Sequence, residues 1–429
     1  MTALDTGRDT ERAQDAEALR IFLKLIRPRP LADPYPLYAR LRDLAPFLPI
    51  RFPGVPNGYL VSTFAGCSRL LRDPAFGPPT REHLDALKPD WRENSFTRCL
   101  YQSMVFRTGK SHRERRQVAS RHFTPRHIGT YRDELERIAD LLIDRLAAAS
   151  SSGNGRAHTP VDLVENLALP FAALSLGRLM GVDDDEAVRL GRLARQAGGV
   201  FEQFATARQH ETIARSGEEL VDRLTVIVAD RRRAGQAEND LLASLAASED
   251  AADDQELVGA AVLLFGAGFD SPASMVGLGT KLLLDYPDQA DLIRKNPEIA
   301  DKAVSEILRY EPPVQLVVRA ALEPTELEGH EIPGGSMVFG LIAAGNRDPA
   351  QVKEPEVFDV TREQVPSLSF GAGPHYCLGA YLAGMQGEIL FPRLLHRFPR
   401  MRMAGEPAYR EPGSTLRGLD TLPLILQPR

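Results

Sequence analysis

Phe370-Gly371-Ala372-Gly373-Pro374-His375-Tyr376-Cys377-Leu378-Gly379 is the stretch on which the reading of this chain turns. Its glycines and proline force a tight backbone that sets one cysteine at the start of a helix. A thiol there feels the positive end of the helix dipole and unpaired N–H groups, which favours its thiolate. A lone cysteine so placed suits a nucleophile or a soft metal ligand. Zinc does not fit: Cys67 and Cys99 lack C-x-x-C spacing, and His375 lies only two residues away. No second His and Asn pair announces a cysteine protease.

Around that stretch the 429 residues have ordinary globular composition, 43% hydrophobic and 26% charged, which excludes disorder, collagen and coiled coil for the bulk of the chain. Lys plus Arg is 52 against 58 for Asp plus Glu, a formal charge of −6, which excludes a strongly basic nucleic-acid binder. Three cysteines without a pairing pattern point to a reducing cytosol, and the polar N-terminus shows no signal peptide. Residues 1–18 read as a disordered or frayed tail, and 19–429 as a single domain.

Most of the text between has helical spacing. Leu37, Leu41 and Leu44 follow Asp33-Pro34-Tyr35-Pro36; residues 58–64 read as a strand; residues 113–123 form a very basic helix stopped at Thr124-Pro125. Ile138, Leu141, Leu142 and Leu146 mark another helix, and a loop is expected from Ser150 to Gly155. Asp253-Asp254-Gln255-Glu256 signs the start of a long apolar helix that runs to about Tyr286. From Leu257 to Thr280 its only charge is Asp270, so it is long enough to span a bilayer. Five glycines, Pro272, the central acid and the lack of flanking Lys/Arg clusters make it instead the central helix of a large soluble fold. Short strands are expected over 314–321 and 336–341, and a terminal hairpin over 413–429. The fold class is therefore mainly α with a minor β part.

The cysteine stretch resembles the haem-binding loop of the cytochromes P450, F-G-x-G-x-H-x-C-x-G. The resemblance extends from Asp33-Pro34-Tyr35-Pro36 to Leu416-Arg417-Gly418-Leu419. It implies the cytochrome P450-like fold with its long central helix over a haem b, and Cys377 thiolate as axial ligand of the iron, pushing electron density toward O–O cleavage. By the same resemblance Phe370 shields the sulfur, and Gly371 and Gly379 let backbone approach the ring.

Three further constellations gain meaning from it. Glu306-Ile307-Leu308-Arg309 puts acid and base on one helix face, a weak signal alone. About seventy residues before Cys377 it looks like the family's E-x-x-R, with Arg362 as the structural partner. Ala267-Gly268-Phe269-Asp270-Ser271 resembles the family's oxygen-binding turn, with Asp270 and Ser271 as catalytic proton-relay members; the alternative is a helix kink whose hydroxyl bonds back to the backbone. Ser271 replaces the usual threonine, and Pro272 removes the next N–H. His112, Arg116, Arg319 and His375 match the positions that contact the haem propionates, although Thr108-Gly109-Lys110-Ser111 replaces the common lead-in to His112.

Family position also assigns pocket walls: Leu264, Ala267, Val314, Leu316, Val317 and Thr415, with Gln315 as hydrogen-bond donor. They suit a sizeable, mostly apolar ligand with a few polar handles. The expected function is a haem-thiolate monooxygenase that hydroxylates or epoxidises a polyketide or peptide scaffold in bacterial secondary metabolism. Ferredoxin and ferredoxin reductase would supply electrons, steered by Arg113, Arg115, Arg121 and Arg126. Two alternatives stay open: oxidative bond or ring formation without net oxygen insertion, and a non-catalytic haem protein that recognises a partner or carrier-bound molecule. The protein is expected to be a cytoplasmic monomer without membrane or nucleic-acid contacts.

Overall fold

The computed structural model describes residues 3–27, 29–52, 55–151, 159–202, 206–234, 240–247, 254–363, 366–411 and 414–429. Helix α1 (Ala3–Leu25) replaces the frayed tail expected over residues 1–18, of which residues 1–2 lie outside the described part. Ala18, Ile21, Phe22 and Leu25 recur at helical spacing and are buried, and Phe22 meets Phe339 edge-on with ring centroids 6.1 Å apart. This packing ties the N-terminal helix to the main sheet and removes the boundary placed at residue 19.

Helix α2 (Tyr35–Leu44) leads into strands β1 (Phe47–Phe52) and β2 (Val55–Val61), then α3 (Phe64–Arg72), capped by the Thr63 hydroxyl on the Gly66 N–H at 3.0 Å. Strand β3 (Phe76–Gly77) precedes α4 (Arg81–Leu87), α5 (Ser95–Gln102), the basic α6 (Gly109–Ser120), α7 (Pro125–Gly129) and α8 (Arg132–Ser151). Of the loop expected from Ser150 to Gly155, Ser150 and Ser151 belong to α8, and residues 152–155 lie outside the described residues. Strand β4 (Val161–Asp162) and helices α9 (Leu169–Met180), α10 (Asp184–Ala197), α11 (Ala207–Ala234) and α12 (Leu241–Ala247) follow. Gly181 in the left-handed region (φ +70°) ends α9, and Asp183 caps α10 through the Glu186 N–H.

Helix α13 (Asp254–Asp285) is the axis of the molecule. Asp253, the first residue of its expected start signal, lies outside the described residues. It is long and apolar enough to cross a membrane, yet most of its side chains are buried inside the fold. Helices α5, α9, α10 and α11 pack on it. The crossing with α10 is close because residue 191 is glycine: a Cβ there would sit 2.5 Å from the Phe269 ring. The clamp on Asp270 described below depends on this approach.

After α14 (Pro287–Lys295) and α15 (Ala300–Tyr310) come β5 (Val317–Ala321), β6 (Thr325–Leu327), β7 (His330–Ile332), β8 (Met337–Gly340) and the short α16 (Ile342–Gly345). The main sheet has the order β1-β2-β8-β5-β3, with only the β2–β8 pair parallel. Helix α17 (Ala380–Arg397) carries the chain from the cysteine loop to β9 (Arg400–Met403), β10 (Ala408–Tyr409), β11 (Leu419–Thr421) and β12 (Pro423–Gln427). The expected terminal hairpin does not form: β11 pairs with β10, whereas β12 lies between β4 and β9. Leu422, between the two strands, is fully buried, so the chain leaves one small sheet for the other without a solvent-exposed turn.

Candidate active site

The cysteine loop is built by backbone constraint. Gly371 and Gly373 both have positive φ (+72° and +67°). A Cβ at Gly373 would lie 2.5 Å from the Leu71 carbonyl oxygen, so only glycine lets the loop rest on the end of α3. The Cys377 N–H closes the loop by donating to the Phe370 carbonyl at 2.8 Å. The Cys377 side chain is exposed and stands just before α17. Burial of the sulfur's surroundings pushes the thiol up, opposed by the Gly379 amide and the Arg116 charge. The helix start therefore does not suffice to hold a thiolate, whereas a coordinated metal ion deprotonates a thiol outright.

Four basic residues gather beside the loop. His112 is buried on α6, and its ring lies 4.1 Å, centroid to centroid, from that of His375. Burial, with the charges of His112, Arg319 and Arg116 behind it, pushes His375 down to about 3. Burial alone pushes Arg319 down to about 10. Arg319 donates Nη1 to the Val318 carbonyl at 3.0 Å, and Arg116 donates Nη2 to the Tyr376 carbonyl at 2.6 Å. Among the described residues, no carboxylate pairs with either arginine. Two half-buried arginines without an anion are costly, and a ligand that brings its own carboxylates relieves them. A haem with two propionates fits that need.

The middle of α13 is lined by small residues. Ala267 is exposed and Gly266, Gly268 and Ser271 are half-buried, in a helix otherwise almost wholly buried. Asp270 is on another face and is 1% exposed. Its Oδ1 lies 3.2 Å from Arg195 Nη1 on α10, and its Oδ2 pairs with Arg410 Nη1, just after β10. Arg195 Nη2 also reaches Asp420 at 2.8 Å, and Arg410 Nη2 donates to the Arg195 carbonyl at 2.8 Å. Neither arginine is signalled by local spacing, since they lie 75 and 140 positions from Asp270.

The Glu306 pair is as the resemblance implies. Arg309 donates Nε and Nη2 to its carboxylate at 2.7 and 2.8 Å, and Arg362 Nε approaches at 3.3 Å. Spare donors of Arg309 satisfy the carbonyls of Asn346, Pro355 and Val357. The trio staples α15 to the irregular segment that precedes the cysteine loop.

A cavity of about 680 Å³ opens between α5, α6, α12 and α13, with Met104, Val118, Ala260, Leu263 and Leu264 in its wall and Arg107 and Arg115 at its edge. Of the expected wall residues, Leu264 lines this cavity, and Ala267, Val314, Val317 and Thr415 do not. Val314 bridges to Leu416 and Val317 opens β5, both half-buried. Gln315 and Leu316 are corrected. Gln315 is buried and donates its amide inward to the Pro312 carbonyl, and Leu316 belongs to the apolar cluster of Leu48, Ile50, Leu60 and Phe339. The two adjacent side chains are buried on different partners, Gln315 against Pro312 and Leu316 in that apolar cluster. Thr415 hangs on Phe201 through its hydroxyl at 3.1 Å and on Glu202 through its N–H at 3.0 Å. Glu202 was not singled out by any motif.

Comparison with known proteins shows the family. Residues 82–406 match the cytochrome P450 family. The chain is a cytochrome P450. It is 32% identical over 406 residues to 6-deoxyerythronolide B hydroxylase of Saccharopolyspora erythraea, covering 92% of this chain and 96% of that protein. It is 32% identical to the cytochrome P450 monooxygenase PikC of Streptomyces venezuelae, covering 92% and 91% of the two chains. Among solved structures, P450BioI in complex with an acyl carrier protein ligated by hexadec-9Z-enoic acid superimposes with a TM-score of 0.83 at 27% identity, covering 92% of this chain and 98% of that one. The protein is therefore an oxidoreductase of the monooxygenase type whose cofactor is haem b.

Proposed function

We propose that this monooxygenase inserts one oxygen atom, by hydroxylation or epoxidation, into a sizeable, mostly apolar small molecule of bacterial polyketide or peptide metabolism. The observation that supports the reading is the gathering of His112, Arg116, Arg319 and His375 by the Cys377 loop, with no carboxylate on either arginine among the described residues. When bound, haem supplies the activation of O2. Cys377 holds the iron through its sulfur; Phe370 covers that sulfur, and Gly371 and Gly379 let the backbone approach. Arg116 and Arg319 pair with the propionates, and His112 and His375 donate hydrogen bonds to them. Ala267 leaves room above the ring, while Leu264, Val314, Val317 and Thr415 form apolar walls and one polar handle.

Asp270 and Ser271 move protons from the protein interior toward the oxygen site. Asp270 Oδ2 takes up and releases the proton when Arg410 gives way, and the Ser271 hydroxyl passes it on. Glu306, Arg309 and Arg362 hold the framework without touching the reaction. Electrons arrive from a ferredoxin and its reductase at the face of Arg113, Arg121 and Arg126, all exposed. Arg115 is not part of this docking set, because it pairs with Glu256. The enzyme works as a cytoplasmic monomer.

One feature favours a second reaction within the same family chemistry. Ser271-Pro272 departs from the usual Thr, and this departure motivates formation of a new bond within the substrate as the second reading. Product mass separates the two: gain of one oxygen against loss of two hydrogens. The binding-only alternative falls with membership of an enzyme family. The ligand assignment is tested by reducing the protein under CO, which should give the red-shifted Soret band of thiolate-ligated haem; a folded, haem-loaded protein with an unshifted band overturns it. A spectral-shift screen against natural-product libraries then identifies the substrate.

A further inference from the structure

The chamber between α5, α6, α12 and α13 is apolar in its wall and charged at its edge, and the charges at that edge do not balance. Met104, Val118, Leu263 and Leu264 make the apolar part. The carboxylates in the lining are already engaged: Glu256 pairs with Arg115, and Glu114 lies 3.6 Å from Lys110. Arg115 is fixed further by donating Nη1 to the Ser111 hydroxyl at 2.9 Å. Arg121 also reaches the lining but is exposed, so water satisfies it.

Arg107 differs from these. It follows the short 3₁₀ turn Met104–Phe106, just before α6, and is half-buried. Its Nε donates to the Gln102 carbonyl at the end of α5, at 3.1 Å, which sets the guanidinium plane and leaves both Nη groups for another partner. Among the described residues, no carboxylate pairs with it. Burial, then the charges of Arg115 and Arg81, push Arg107 below the ordinary arginine value, and the Glu256 charge opposes them. A guanidinium stays charged at neutral pH whatever its surroundings. A cation so placed is costly in the empty chamber, and an anion entering the chamber relieves it.

We propose that Arg107 anchors a carboxylate of the substrate, so that the enzyme acts on apolar acids. The two Nη groups donate to the two carboxylate oxygens, a planar match that a fork of this kind makes well. The apolar body then lies against Met104, Val118, Leu263 and Leu264, in a chamber of about 680 Å³ that suits a ligand of moderate size. A cationic ligand is repelled by Arg107, and a neutral one leaves it without a counter-charge. This rests on the reading of the substrate as a mostly apolar small molecule and narrows it to acids.

The test measures binding to the haem-loaded protein by equilibrium dialysis, which needs no turnover. The probes are dodecanoic acid and naphthylacetic acid, each beside its primary amide, which keeps the shape and loses the charge. In the wild-type protein at least one acid should bind about ten-fold more tightly than its amide. Arg107→Gln should bring that ratio to within about two-fold by weakening the acid alone, with amide binding showing that the chamber is intact. Arg107→Lys keeps the charge without the fork and should fall between the two. Acids that bind no better than their amides in the wild type, or a preference that survives Arg107→Gln, would overturn the proposal. So would loss of acid and amide together, which makes Arg107 a part of the wall, or a fall in haem content, which gives its guanidinium to a propionate. Failure of the wider reading shows separately. An acid that binds through Arg107 but gains no oxygen when NADH and a surrogate ferredoxin system are supplied leaves the anion site standing and removes oxygen insertion.

Discussion

The two sides of α13 are assembled in different ways. On the cysteine side, residues close in sequence make the site: Phe370 to Gly379 is one loop, Glu306 and Arg309 are one turn apart, and His112 and Arg116 share a face of α6. On the pocket side, residues from across the chain meet: Arg195, Glu202, Asp270, Arg410 and the 414–416 wall come from four separate elements. The first kind of site is held by backbone geometry and tolerates little change. The second is held by shared charges, so its members can trade partners. A fixed cofactor cradle beside an adjustable substrate chamber is what a monooxygenase needs in order to keep one chemistry while it waits for one ligand.

The largest expected effect breaks the rigid side. Cys377→Ser replaces a soft sulfur by an oxygen, and the red-shifted CO band should disappear entirely while far-ultraviolet circular dichroism stays native. Persistence of the band would give the iron another ligand. Next comes the buried trio. Glu306→Gln leaves Arg309, 1% exposed, without its counter-charge, at a cost of about 3–5 kcal/mol. Thermal unfolding of the haem-loaded protein should show this loss, together with poor haem incorporation; a variant as stable as wild type would remove the trio from the framework.

On the adjustable side the rate is the diagnostic readout, because neutralising Asp270 also leaves the buried Arg410 without its counter-charge and costs stability. Asp270→Asn keeps the shape of the side chain and removes the acid, so product formation should fall by about 10²-fold. Substrate affinity, read by spectral titration, should hold. Equal losses in affinity and turnover would instead make Asp270 a wall residue that reaches the ligand through Arg410. A smaller effect is expected at Leu316, which the family position places in the pocket and the structure places in the core. Leu316→Ala should cost about 2–4 kcal/mol of stability and leave the substrate preference unchanged. A changed preference would return it to the chamber.

The contrast also accounts for what could be read from the sequence. A loop such as Phe370–Gly379 writes its geometry into adjacent letters, because glycine and proline dictate φ directly. The apolar run around Phe265 and Phe269 declares a central helix for a similar reason, since it is apolar on every face. Glu202 and Arg410 carry no such mark. Each looks like a surface charge until folding brings partners from 212 and 140 positions away. Gln315 differs from its half-buried neighbours Val314 and Val317 because its amide bonds inward to the Pro312 carbonyl, a contact no sequence spacing signals. The N-terminal helix was missed because its polar first half hides four apolar residues whose partner, Phe339, lies more than three hundred positions on.

The smallest expected effect concerns the outer surface behind the cysteine loop. Arg113, Arg121 and Arg126 are exposed, and exposed charges of this kind contribute little to stability. Their contribution lies in the rate at which an acidic electron donor arrives. Reversing Arg126, which does not line the chamber, by Arg126→Glu should leave the unfolding temperature and the CO band untouched and slow reduction by ferredoxin several-fold at low salt. The difference should shrink as ionic strength approaches 0.5 M, because screening over a few Å removes the steering from both proteins alike. Arg115→Glu is the internal control. It breaks the pair with Glu256 at the edge of the 680 Å³ chamber, so it should perturb ligand binding rather than reduction by ferredoxin. If both reversals slowed electron transfer equally, the docking face would extend over the chamber mouth, and the separation between rigid and adjustable sides would not reach the surface.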